Sequence, residues 1–284
     1  MCGRYTTVSR IEEVESRFAA RFEKPGLFLS SPNVAPGESA PVILSGRPEV
    51  IQLLRFGLTP FWAQKRMLLI NARAEGDHNP DNDPLYAGAA GIFQKPSFRK
   101  PIRTQRCLVL ADGFIEGPEK EKLSKPYLVR RASDDALFAM AGIWDHWTDP
   151  VTGEILHGFS IITTAANDLL LQIGHHRAPL IVPRELEREW LDERIPTEVL
   201  SEWFKPFDGS AFVAWPISPE IKKPGQKSME LLSPVGAALG ESKTFIAREQ
   251  LELQGMGHSS ARVRRRRQDD EISRPAPDST SEKG

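Results

Sequence analysis

Apolar residues recur at helical spacing near the start of the chain and then give way to short strand-like runs. In SRIEEVESRFAARF, Ile11, Val14, Phe18 and Phe22 share one face, which predicts a helix. Ser9 with Glu12 three residues on has the spacing of a capping box at its start. A Pro/Gly-rich stretch, PNVAPGESAPVILS, leads into a short apolar strand, and VIQLLRFG reads as another. Strand-like runs continue through CLVLADGF, PYLVRR, ALFAMAGIW and GFSIITT. AANDLLLQIG predicts a short helix stopped by Gly174. PRELEREWL predicts a second with Pro183 near its start, and TEVLSEWF a third. FVAWPIS and the segment around SMELLSPV read as closing strands, and residues 77–91, DHNPDNDPLYAGAAG, as a surface loop. Many short strands, dispersed helices and no regular βαβ alternation predict an α+β fold with a largely antiparallel sheet.

Past residue 236 the periodicity fails. The segment 236–284 mixes Gly, Ser, Pro and charges, including RVRRRRQDDE, and is expected to be a disordered tail. A single domain is expected over 2–235. The composition, 40% hydrophobic and 26% charged over 284 residues, is that of an ordinary globular protein. No apolar run approaches the roughly 20 residues of a membrane helix, and MCGRYTTVSR has no apolar core of a signal peptide. A soluble cytoplasmic protein is therefore expected. Cys2 and Cys107 offer neither a disulfide framework nor zinc-ligand spacing, so no metal and no cofactor are expected. A net charge of −1 means that any nucleic-acid site must be a local patch rather than a basic chain as a whole.

Within this frame a few residues carry candidate chemistry. Cys2 directly follows the initiator methionine. If Met1 is removed, an α-amine (reference pKa about 7.7–8.0) and a thiol (about 8.5) stand on adjacent carbons. Such a 1,2-aminothiol condenses with an aldehyde to an imine and then closes a five-membered thiazolidine. The thiol alone is instead a nucleophile for carbonyls with the amine as base, and a lone cysteine is often simply buried. In INARAE, Asn71, Arg73 and Glu75 alternate, which on a strand gives one polar face. Glu116 in ADGFIEG sits in a Gly-flanked turn where a desolvated carboxyl would be a general acid or base. His175 and His176 follow a helix end and lack metal-ligand spacing. Phe61 and Trp62 lie in a turn after Pro60, suited to stacking on unpaired bases or to closing a core. Arg4, Arg73, Arg103, Arg106 and Arg177 are candidate phosphate contacts.

MCGRY, PNVAPGE, RFGLTPFWA, INARAE, KPSFR, RCLVLADGFIEG, MAGIWDHW, FSIITTAAN, IGHHRAP and SMELLSPV, in this order, resemble the SOS response-associated peptidase (SRAP) family of abasic-site processing proteins. The resemblance spans residues 2 to about 235. It implies a barrel-like β core with peripheral helices and a monomer acting on single-stranded DNA that contains an abasic site, nucleoid-associated when bound. It further implies DNA–protein crosslinking through a thiazolidine at the mature N-terminal Cys2, in the DNA damage response. Carried over, Asn71 orients the sugar and the reacting terminus, Glu116 assists proton transfer, and His175 helps open the sugar. Arg4, Arg73 and Arg177 hold flanking phosphates, and Phe61 and Trp62 wedge against bases. The chain departs from the family pattern at FIEG, where an aromatic and a Trp usually flank the glutamate. It departs again at His176, where an acid is common, and in the inserted loop at 77–91. The alternative is an N-terminal-cysteine hydrolase: a peptidase, as the family's older label suggests, including one that removes its own first residues, or a class II glutamine amidotransferase-like enzyme.

Overall fold

A computed structural model describes residues 2–133 and 135–240. The tail expected at 236–284 lies outside the described residues from 241 onward. In chain order the strands are β1 (Tyr5–Thr7), β2 (Arg21–Phe22), β3 (Ser31–Val34), β4 (Ser39–Leu44), β5 (Arg47–Phe56), β6 (Asn71–Arg73) and β7 (Arg106–Ala111). There follow β8 (Gly113–Glu116), β9 (Tyr127–Arg131), β10 (Phe138–Thr148), β11 (Ile155–Ala165), β12 (Arg177–Pro179), β13 (Ile181–Val182) and β14 (Phe212–Pro216). The α-helices are short: α1 (Ile11–Phe18), α2 (Pro101–Thr104), α3 (Asp168–Ile173), α4 (Glu187–Leu191) and α5 (Thr197–Glu202).

β11, β10, β7, β4 and β5 pair in that order, and β5 returns to pair in parallel with β11 through Arg55↔Gly158 and Phe56↔Phe159. That last pairing closes the ring into a barrel. A second sheet, antiparallel in the order β14-β9-β8-β1-β3, packs beside it. Side chains alternate across a strand, and this alternation sorts the barrel residues into two cores. Cys107, Val109 and Ala111 of β7 join Val42, Phe159, Cys2, Tyr5, Phe114 and Phe212, so one face of the barrel packs on the second sheet. Leu108 and Leu110 join Ile43, Ile162, Val14, Trp190 and Leu200, so the other face is covered by helices. β7 is buried on both faces, which explains its unbroken run CLVLA. The fold is α+β with a barrel-like β core and peripheral helices.

Four local expectations are corrected. Helix α1 is capped from Arg10, whose N–H donates to the Glu13 carboxylate at 2.9 Å. Ser9 and Glu12 do not form the box, because the Ser9 N–H and hydroxyl both donate to Asp112. The helix also stops before Phe22, which enters β2. SMELLSPV is not a strand: Met229–Leu232 form a 3-10 turn, with the Ser228 hydroxyl accepting from Glu230 N–H. Order persists past residue 235, since Val235 N–H donates to Pro216 and Leu239 bridges Ala214. Helix α3 ends before Gly174 as its sequence predicts.

Candidate active site

Cys2, Asn71, Glu116 and His175 converge where β1, β6 and β8 come together beside the C-terminal end of α3. Asn71 opens β6, which pairs in parallel with β11 at Ile161. From there its side-chain Nδ2 donates to the Cys2 carbonyl at 3.0 Å, while its Oδ1 is buried without a hydrogen-bond partner. Cys2 is 1% exposed, with Sγ 4.0 Å from the Arg4 carbonyl. Burial, followed by the nearby Glu116 carboxyl, pushes its thiol well above the ordinary range.

Glu116 ends β8 and is buried at 4% exposure. Its Oε2 lies 3.3 Å from His175 Nε2, and its Oε1 is buried without a partner. His175 is held by its backbone N–H, which donates to Leu170, and by Nδ1, which donates to the Gly117 carbonyl at 2.9 Å. A carbonyl only accepts, so the neutral imidazole carries its proton on Nδ1 and leaves Nε2 as an acceptor. Glu116 is then the donor of this pair. Burial supplies the reason: it raises the Glu116 carboxyl to about 8 and lowers His175 to about 4. At neutral pH the pair is a protonated carboxyl on a neutral imidazole, sharing one proton.

A cleft of about 790 Å³ opens over this pair, lined by Gly3, Arg4, Arg73, Glu116, His175 and Arg177 among others. Arg4 donates to Asn33 Oδ1 and to the Lys222 carbonyl, both at 3.2 Å. Arg73 donates to the Asn79 carbonyl. Arg177 is 6% exposed, and its guanidinium makes a two-pronged ion pair with Glu75 at 3.0 and 2.9 Å and a bond to the Thr163 carbonyl at 2.8 Å. Burial pushes Glu75 up, but the hydrogen bonds and charge of Arg177 outweigh it and leave the carboxyl below its ordinary value.

Other candidates stand apart. Phe61 and Trp62 are exposed, in a turn where Phe61 N–H donates to Asp145 at 2.9 Å and the Lys100 ammonium sits 4.6 Å from the Phe61 ring; neither lines the cleft. Arg106 is not a phosphate contact: it is fully buried and donates to the carbonyls of Trp190, Ile102, Arg103 and Asp192. Arg103 donates through Nη1 to the carbonyls of Phe93 and Arg99 and does not line the cleft.

The FIEG departure has a steric basis. A Cβ on Gly117 would lie 2.0 Å from the Lys122 carbonyl oxygen, so the segment 118–125 folds where a side chain at 117 would stand. That segment brings Glu119 to His176, 2.8 Å from its Nε2, and adds Lys120 and Lys122 to the cleft wall. Glu119, Lys120, Lys122, Lys222 and Asn82 all line the cleft and were missed in sequence. The run PEKEKLSK was the only available signal for the first three. Among the described residues no group of three or more His, Cys, Asp or Glu is placed to hold a metal, and no helix is long and apolar enough to cross a membrane.

Comparison with known proteins gives consistent matches. The model of the family described as SOS response associated peptidase (SRAP) matches residues 1–224. The abasic site processing protein YoqW of Bacillus subtilis (strain 168) is 32% identical over 238 residues, covering 82% of this chain and 99% of YoqW. The abasic site processing protein HMCES of Gallus gallus is 28% identical over 245 residues, covering 75% of this chain and 68% of HMCES. The crystal structure of a protein from Bacteroides thetaiotaomicron superposes with a TM-score of 0.70 at 28% identity, covering 83% of this chain and 100% of that one.

Proposed function

The chain belongs to the SOS response associated peptidase (SRAP) family, and from that premise we propose that it processes abasic sites by joining itself covalently to them in single-stranded DNA. Its relatives YoqW and HMCES carry the name abasic site processing protein. With Met1 removed, the α-amine of Cys2 attacks the C1′ aldehyde of the ring-opened sugar. The resulting carbinolamine loses its hydroxyl as water, protonated by Glu116, and an imine forms. The Cys2 thiol then adds its sulfur to the imine carbon and its proton passes to the nitrogen, through Glu116, closing the thiazolidine. One water leaves overall and no oxidant or reductant is consumed.

The observation that carries this reading is the grouping around Cys2. Asn71 holds its carbonyl at 3.0 Å, and the carboxyl of Glu116, held protonated on neutral His175, keeps one oxygen unpartnered. A buried acid that retains its proton to about pH 8 is suited to expelling water from a carbinolamine near neutral pH. As the ring opens, the proton of the sugar's C1′ hydroxyl is suited to pass to the unpartnered Glu116 oxygen while the proton on the other oxygen moves to His175 Nε2, so the pair acts as a relay. The raised thiol favours attack by the amine first, and it argues against a hydrolase that needs a standing thiolate.

The test is an oligonucleotide with one abasic site, incubated with protein whose intact mass shows Cys2 to be N-terminal. A heat- and SDS-resistant adduct, heavier than the protein by the DNA less one water, is expected for wild type and absent for Cys2→Ala. An undiminished adduct with Cys2→Ala, or none with wild type, overturns the reading.

A further inference from the structure

The loop at 77–90 leaves the barrel wall directly after β6 and returns at Gly91. Its two ends are pinched together: a Cβ on Gly91 would lie 2.6 Å from the Glu75 carbonyl oxygen. The loop is internally built. Asn79 is 3% exposed, its Nδ2 donates to the Asp83 carbonyl at 3.0 Å, and its Oδ1 accepts from Asp83 N–H at 2.9 Å. Asn82 sits inside the turn this creates, in the left-handed region at φ 57°, which asparagine tolerates better than most residues. The turn lies on the two arginines of the cleft: Arg73 donates to the Asn79 carbonyl, and Arg177 Nη1 approaches Asn82 Oδ1 at 3.5 Å. Asn82 lines the cleft with its oxygen toward Arg177, and its NH₂ donates to no partner among the described residues. The acids that line the cleft are otherwise engaged, Glu116 with His175, Glu119 with His176 and Glu121 with Lys125, whereas Lys120, Lys122 and Lys222 form no ion pair among the described residues. The cleft therefore presents a surplus of donors and positive charge to an anion.

We propose that Asn82 is a phosphate-binding residue that the inserted loop delivers to the cleft: its carboxamide N–H donates to an oxygen of one backbone phosphate of the bound strand, beside Arg73 and Arg177. This rests on the single-stranded DNA reading above. The loop thus makes good part of what Arg177 cannot give, since most of that guanidinium is committed to Glu75 and Thr163.

The experiment compares wild type with Asn82→Gly and Asn82→Asp, both of which accept the left-handed backbone. Asn82→Gly removes the side chain while accepting the left-handed backbone, and the abasic oligonucleotide concentration for half-maximal capture is expected to rise ~3–10-fold. Asn82→Asp puts a carboxylate against the phosphate and is expected to raise it more, on the order of 10–100-fold. The effect falls on half-saturation rather than on the rate at saturating DNA. Oligonucleotides with a single neutral methylphosphonate, placed at each linkage around the lesion in turn, locate the contact. At one linkage the three proteins should converge. Equal capture by all three proteins, or a loss that is the same for Gly and Asp and persists at every methylphosphonate, overturns the assignment. Wild-type capture of glycolaldehyde, followed by intact mass, reports the Cys2 chemistry without DNA. If wild type captures glycolaldehyde but no abasic oligonucleotide, the DNA reading itself has failed and this assignment falls with it.

Discussion

Two glutamates, Glu116 in the cleft wall and Glu75 behind the cleft's Arg177, are both nearly buried, and they end in opposite charge states. Glu75 meets a guanidinium in a two-pronged pair and accepts a further bond from Ala165 N–H at 3.1 Å, so it stays ionised. Glu116 meets a neutral imidazole whose Nδ1 proton is already committed to the Gly117 carbonyl, so it keeps its proton. Burial acts on both in the same direction. What differs is whether the partner is a fixed cation. Glu75 is therefore half of a structural ion pair that fixes Arg177, and Glu116 is a titratable acid beside Cys2.

The comparison breaks most visibly at Glu116. Glu116→Gln keeps the shape but supplies no proton, and adduct formation is expected to slow by ~10²–10⁴-fold. Quenched time courses on denaturing gels would show it, and an unchanged rate removes Glu116 from the mechanism. Glu75→Gln should act on the fold instead. It leaves the Arg177 charge buried without its counter-charge, a loss of about 3–5 kcal/mol and a fall in Tm on the order of 10 °C. Thermal unfolding checks this, and the same measurement on Glu116→Gln should show a far smaller change.

The pH dependence of stability sharpens the contrast further. The raised Glu116 contributes stability that is present below its unfolded value of 4.5 and lost as pH rises through about 8. The depressed His175 contributes stability that is present above 6.5 and lost as pH falls through about 4. Between 4.5 and 6.5 the folded and unfolded pair each bind one proton, so their effects cancel. Above pH 6.5 the unfolded pair holds none while the folded pair keeps one, so stability falls toward pH 8 by about 2 kcal/mol. Urea titrations across this range should show the slope in wild type and its loss in Glu116→Gln. The smallest effect belongs to His176→Ala. Its pair with Glu119 is exposed on both sides, and Tm should move by no more than about 2 °C. A larger shift would make the 118–125 segment a structural support of the site.

Much of this was legible one segment at a time. INARAE announced a strand with Asn71 and Arg73 on one face, because alternation is a property of any extended chain. The helix before Gly174 was equally plain, whereas β5, β10 and β11 run to 10, 11 and 11 residues, longer than the apolar runs that signalled them. What failed did so for a common reason. The Ser9 cap was displaced by Asp112, which follows it by more than a hundred positions. Arg106 looked like a surface cation and is a buried brace for four carbonyls. Arg177 looked like a phosphate contact and is first of all the ion-pair partner of Glu75.

The sequence by itself determined the β-rich α+β character, the cysteine behind the first methionine, and the identity of the groups able to do chemistry. These follow from residue type and local period. Only the tertiary structure decided which charges are neutralised, which proton stays on Glu116, and which loop reaches the cleft with Asn82. A charge state depends on burial and on partners brought together from remote parts of the chain, and no local pattern encodes either.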